Sequence, residues 1–212
     1  MTGRTGRSKS SGQWLRRHVR DPYVHKATAQ GYRSRAAFKL IEIDARDRLL
    51  VAGARVVDLG AAPGGWSQVA AEKVGPRGRL AAVDLVPIAP ISGVTVLRGD
   101  FRHPEVRAKL AAVLAGDKAD LVLCDMSPNI SGIASADQAR AAELVRIAVG
   151  FCREKLKPGG SFLCKVFQGE EFGALLKELR EIFRSVETRK PGASRGESRE
   201  TYLLARGLKG IQ

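Results

Sequence analysis

Residues 56–74 read VVDLGAAPGGWSQVAAEKV, and this stretch decides the fold class. Val56 and Val57 open a short β-branched strand. Gly60, Gly64 and Gly65 follow in a turn where backbone can approach a ligand closely, because no Cβ stands in the way. From Trp66 onward the spacing predicts a helix over 66–74, with its N-terminal amides turned toward that ligand. Strand, glycine turn and helix in this order form the opening unit of a parallel α/β sheet. The spacing is not G-x-G-x-x-G, because Ala61, Ala62 and Pro63 fill the middle. Pro63 also lacks the amide that would bind a pyrophosphate. The loop suits a nucleoside cofactor without phosphates better than a dinucleotide.

Downstream the alternation continues. Apolar runs at 54–59, 79–85, 94–100, 119–125 and 160–167 predict strands, with helices near 66–74, 104–115, 137–155 and 171–182 between them. GPRG at 75–78 and KPGG at 157–160 punctuate the joins. Residues 184–190 and 199–206 read as two further strands. Upstream, Ala37, Leu40, Ile41 and Leu49 fall near helical spacing, with Ser34 as the expected N-cap. The expected architecture is α/β, a mostly parallel seven-stranded sheet with helices on both faces. The expected division is a basic, partly disordered extension over 1–33 ahead of one domain over 34–212.

The formal net charge of +14 is unevenly placed. Residues 1–40 hold +9, residues 41–183 only +1, and residues 184–212 hold +4. A nearly neutral body with two basic ends points to a polyanion-binding surface. A solubilising tail explains one basic end equally well. The three cysteines, Cys124, Cys152 and Cys164, show no CxxC spacing. They fit neither a zinc site nor a disulfide framework, and they suit a reducing cytosol. No apolar run approaches the roughly 20 residues of a membrane helix, so the expected location is cytoplasmic.

Acids recur at the strand ends, at Asp58, Asp84, Asp100 and Asp125. Four together are better explained by a site on that edge of the sheet than by turn chemistry alone. Asp84 stands where an acid can accept the hydroxyls of an adenosine ribose. Asp100 is placed to accept from an adenine amino group. Lys165 lies late in an apolar strand, facing opposite to Cys164 by the period of two. A charge there needs a polar outlet, or else it is a snorkelling edge lysine.

Five motifs in register carry a resemblance: SRAAFKL, DLGAAPGGWSQ, CDMSPNISG, KVFQGE and GESRETY. With them the chain resembles, over effectively its whole length, the FtsJ/RrmJ (RlmE) family of ribose 2′-O-methyltransferases. The resemblance implies a Rossmann-like methyltransferase fold and S-adenosylmethionine (S-adenosyl-L-methionine) as cofactor. It also implies a catalytic tetrad of Lys39, Asp125, Lys165 and Glu200. The cofactor-binding residues it implies are Gly64, Trp66, Asp84 and Asp100, with Asp125 near the methyl-bearing end. The implied substrate is a uridine of large-subunit (23S) ribosomal RNA, in the loop that receives the aminoacyl end of tRNA. Its implied setting is the 50S subunit during ribosome assembly, with neither DNA nor membrane as partner and the enzyme a monomer.

The chemistry accounts for the four tetrad groups. Methyl transfer from a sulfonium is an in-line displacement, so positioning supplies much of the rate. The ribose hydroxyl must lose its proton during attack. Lys165 is the expected base, its neutral form made accessible by burial and by the Lys39 cation. Asp125 and Glu200 orient the lysines, with Glu200 expected as the outer and most replaceable member. A base methyltransferase is the nearest rival, but the turn from Asp125 to Asn129 lacks the aromatic ring that would stack on a flipped base. A carbon-5 enzyme needs a loop cysteine, whereas Cys124 and Cys164 sit in apolar strands. A non-catalytic ribosome-binding factor would use the same basic surface without the tetrad.

Overall fold

The structure, a computed structural model, describes residues 21–129, 131–196 and 198–210. Its elements run α1 (Pro22–Ala29), α2 (Ala37–Asp47), β1 (Arg55–Leu59), α3 (Gly65–Val74), β2 (Arg79–Asp84), β3 (Val94–Arg98), α4 (Pro104–Val113), β4 (Ala119–Cys124), α5 (Ala134–Lys155), β5 (Leu156–Phe167), α6 (Glu170–Ile182), β6 (Phe183–Arg189) and β7 (Glu200–Leu208). The seven strands form one sheet in the order β3-β2-β1-β4-β5-β7-β6. The first five are parallel, and β7 pairs antiparallel with both β5 and β6.

The strands alternate their side chains between two apolar layers. Val57, Leu59, Val122, Cys124, Phe162 and Cys164 face α4, α5 and α6. Val56, Leu121, Leu123, Leu163 and Tyr202 face α2 and α3. Helices thus cover both faces, as the strand–helix alternation requires. The chain order reverses direction between β1 and β4. That switch point opens a crevice at the carboxyl edge of the sheet.

Three local outcomes differ from the sequence reading. Helix α1 occupies part of the basic extension, where no element was expected. Asp21 caps it by accepting from Tyr23 N at 3.1 Å, Pro22 starts it, and Ala27 packs with Phe38 and Ala193. Ser34 does not cap α2. The helix is entered through backbone bonds from Ala37, Phe38 and Lys39 to the carbonyls three residues earlier, and Ala36 is the cap. That tight turn meets the first amides without a side chain. Finally, KPGG is no join: β5 begins at Leu156, which pairs with Ala119, and Ser161 pairs next with Leu121. The intervening residues bulge from the strand instead of ending it.

Candidate active site

The carboxyl edge at the switch point holds a cleft of about 550 Å³. Gly60 and Ala62 of the glycine loop line one wall. Asp84, Leu85 and Val86 follow β2, Asp100 to Arg102 follow β3, and Asp125 to Asn129 follow β4. Leu85 and Val86 are 59% and 58% exposed, an apolar shelf beside two acids. Gly60 is needed because a Cβ there would stand 2.7 Å from the Met126 backbone, at a φ of +75°. Acids for hydroxyl and amino groups, with apolar walls between, fit an adenosine moiety.

Three of the five expected cofactor residues, Asp84, Asp100 and Asp125, line this cleft. Asp84 accepts from Ala62 N and Val86 N, both at 2.9 Å, so the carboxylate also fixes the two loops around it. Asp100 is gripped at both oxygens by the Arg102 guanidinium, which holds its pKa at about 2. Gly64 and Trp66 are not among the lining residues. Gly64 caps α3 at a φ of +111°, and a Cβ there would meet Ile91 Cδ1 at 2.6 Å. The Trp66 indole is buried, donates to the Ala36 carbonyl at 2.8 Å and packs on Tyr202 at 5.6 Å. Its side chain is engaged in the core, which leaves the backbone at the start of α3 as its route to a ligand.

Asp58, grouped with the strand-end acids, does not lie on the edge. It is fully buried inside β1, one oxygen accepting from Ser67 Oγ at 2.6 Å and the other without a hydrogen-bond partner. Burial raises its pKa to about 7.

The four expected tetrad residues come together on the α2/α3 side of the same edge. Lys39 projects from α2 and donates to Glu200 Oε1 at 2.6 Å. Lys165 donates to the Asp125 carbonyl at 2.6 Å and lies 3.2 Å from Asp125 Oδ1. Each lysine contacts a carboxylate, and Glu200 feels the charge of both, so the two cations share one network. Lys165 is 8% exposed in a central strand. An edge lysine reaching for solvent is thereby excluded.

Glu200 is no outer group. Besides Lys39 it accepts from Ser194 Oγ at 3.1 Å, and its side chain is 15% exposed against 20% for Asp125. Burial, the largest single cause, pulls the Glu200 pKa upward, but Lys39, Lys165 and the Ser194 hydrogen bond together outweigh it and the net shift is downward.

One residue missed in the sequence joins the two pairs. The Tyr202 hydroxyl lies 3.1 Å from Glu200 Oε1 and 3.3 Å from Asp125 Oδ1. Burial, then the two carboxylates, raise its pKa well above the ordinary value, so it stays a neutral donor. Tyr202 stands directly opposite Lys165 across the β5–β7 pair and two residues from Glu200. The period of two along β7 was the signal that could have found it.

Asp125 belongs to both halves, lining the cleft and pairing Lys165. Cys124 and Cys164 lie on the opposite face, buried, with thiols that burial pushes up, Cys124 to about 12. They are inert. Among the described residues no cluster suits a metal ion, and no helix is long and apolar enough to cross a membrane.

The FtsJ-like methyltransferase family matches residues 32–208. A ribosomal RNA large subunit methyltransferase E of Chromohalobacter salexigens is 54% identical over 203 residues, spanning 96% of this chain and 97% of that protein. A crystal structure described as a ribosomal RNA methyltransferase from Plasmodium falciparum superposes with a TM-score of 0.77 at 29% identity, over 85% of this chain and all of the other. Aeropyrum pernix fibrillarin, in complex with S-adenosyl-L-methionine, shares the fold at a TM-score of 0.58 and 21% identity, over 82% of this chain and 75% of that one.

Proposed function

From the premise that the chain belongs to the FtsJ-like methyltransferase family, we propose that it methylates a uridine ribose 2′-hydroxyl of 23S ribosomal RNA. The observation that carries the reading is Asp125, which joins the adenosine-shaped cleft to the buried lysine–carboxylate network. When bound, S-adenosylmethionine supplies a methyl group on a positively charged sulfur. Asp84 and Asp100 would hold its adenosine, and the glycine loop and first turn of α3, at Gly64 and the Trp66 backbone, its remaining end.

In this reading Lys39 and Lys165 grip the ribose beside Asp125. In its neutral form Lys165 Nζ would take up the proton of the ribose 2′-hydroxyl while that oxygen receives the methyl group the bound cofactor supplies, and the lysine would end protonated. Asp125 aims Lys165, and Glu200 aims Lys39. Tyr202 keeps the carboxylates in register through its single proton. Because most of these groups are fixed before substrate arrives, little reorganisation is left for the chemical step.

The basic extension over 1–33, anchored through α1, docks the RNA ahead of the catalytic domain over 34–212. The substrate is the assembled 50S particle, in the cytoplasm, and the enzyme acts as a monomer. Inert cysteines and a ring-free turn at Asp125–Asn129 disfavour chemistry on a base. The test incubates the protein with labelled S-adenosylmethionine and either 50S particles or free 23S RNA from a strain lacking the gene. Ribose methylation is then mapped. One new 2′-O-methyluridine, formed on particles in preference to free RNA, is expected. A methyl group on a base, or none on either substrate, overturns the proposal.

A further inference from the structure

Arg33 is not part of the tetrad or the cleft lining, yet it makes an unusual set of bonds. One guanidinium nitrogen donates to the Ala89 carbonyl at 2.6 Å and to the Pro63 carbonyl at 3.3 Å. The other donates to the Pro90 carbonyl at 2.7 Å. Pro63 belongs to the glycine loop, and Ala89 and Pro90 belong to the loop after β2. The backbone of Arg33 is itself fixed, since its N–H donates to Gln68 Oε1 of α3 at 2.8 Å, and Gln68 Nε2 donates to the Gly31 carbonyl at 3.0 Å. The Tyr32 hydroxyl adds a bond to Glu72 one turn further along α3 at 3.0 Å.

These two loops form facing walls of the cleft. Near the sheet, Asp84 ties them by accepting from both Ala62 N and Val86 N. Further out, the Ile88 and Ile91 side chains close on Gly64, and there Arg33 is the polar tie between the loops. We propose that Arg33 is a positioning residue for the cofactor, a staple that sets the spacing of the two walls so that the adenosine slot is formed before ligand enters. The planar fork suits this task, because it offers several donors in fixed directions to carbonyls on different segments. An ammonium would reach them only as a compact charge. The last basic residue of the basic extension would otherwise be assigned to RNA. Here its donors point inward, to three backbone carbonyls. The inference rests on the cleft being the cofactor site.

The experiment measures S-adenosylmethionine binding by calorimetry, without RNA, for the wild type, Arg33→Ala, Arg33→Lys and Asp84→Ala. RNA affinity and the single-turnover methylation rate at saturating cofactor are measured in parallel. The Asp84 variant tests the cleft itself. If it binds normally, the assignment of the cleft fails and the staple fails with it. If it weakens and Arg33→Ala does not, the cleft stands and the staple alone is overturned. The expected result is a cofactor Kd raised tenfold or more in Arg33→Ala, with the saturated rate within threefold of wild type. Arg33→Lys should recover less than half of the lost affinity on a logarithmic scale. If the alanine variant does not fold, the lysine variant decides, with a threefold loss as the threshold. Normal cofactor affinity with weakened RNA binding makes Arg33 an RNA contact and overturns the proposal.

Discussion

The buried Asp58 makes stability depend on pH in a way that Asp58→Asn should remove. Its pKa moves from 3.8 to about 7 on folding, with burial the largest cause and the Ser67 hydrogen bond opposing it. Because the folded value lies above the unfolded one, the folded state holds the proton more tightly. The contribution is fully present below about pH 4, declines as pH rises, and is gone above about pH 7. A shift of roughly 3 units at 1.36 kcal/mol each sets an upper bound of about 4 kcal/mol. Between pH 5 and 8 the expected loss is about 3 kcal/mol, or roughly 6–12 °C in Tm for a domain of this size. Asparagine keeps an oxygen for Ser67 and has no proton to lose. It places an amide where the unpartnered Oδ1 now lies, at a pH-independent cost of about 1–3 kcal/mol. Urea denaturation of both proteins at half-unit steps from pH 5 to 8 isolates the effect, since every other titrating group is shared. The wild type should lose stability relative to the variant by about 3 kcal/mol across that range. Parallel curves, differing by a constant to within about 1 kcal/mol, would refute the assignment of Asp58 as a group protonated by burial.

The remaining expectations concern the reaction. Lys165→Ala should abolish methyl transfer with cofactor affinity intact, and Lys165→Arg should not restore it, since a guanidinium keeps its proton. The wild-type single-turnover rate should rise with pH and then level, and near-normal transfer by Lys165→Arg would make Asp125 the next candidate base. Glu200→Ala should impair turnover as severely as Lys39→Ala, and thermal melts should show a stability loss near the low end of the roughly 3–5 kcal/mol for breaking a buried pair. Deleting residues 1–13, or neutralising Arg16, Arg17 and Arg20, should weaken RNA binding and lower its salt slope by about 0.7–0.9 per lost phosphate contact. An unaltered slope in filter binding would reduce this arm to a solvated tail. Those positions lie outside the described residues.

The strand and helix pattern was legible because its signal is local. Buried parallel strands such as Leu80–Val83 and Leu121–Cys124 must be apolar on both faces, and glycine or proline must break them. What escaped was either backbone-driven or long-range. Ser34 looked like a cap, but a tight turn satisfies the same amides. KPGG looked like a loop, and pairing of Leu156 with Ala119 extends the strand past it. The tetrad residues could be named by resemblance, but their partners could not. Which lysine meets which carboxylate depends on where α2 lies over the sheet. Arg33 and Tyr202 were invisible for the same reason, because one binds carbonyls and the other acts across a strand pair.

The reversed direction of β7 has a consequence for which parts of the chain build the site. A parallel strand there would carry Glu200 and Tyr202 to the far edge of the sheet. Running antiparallel, it starts where its neighbours end, and both residues arrive beside Asp125 and Lys165. The cleft is lined from Gly60 to Leu144, within one stretch of chain. The Lys39–Glu200 bond instead closes a separation of 161 residues. Such a distant contact carries a larger loop-closure cost than any contact within the cleft. The lining of the cleft thus draws nothing from β7, whereas the lysine–carboxylate network is complete only with that strand in place.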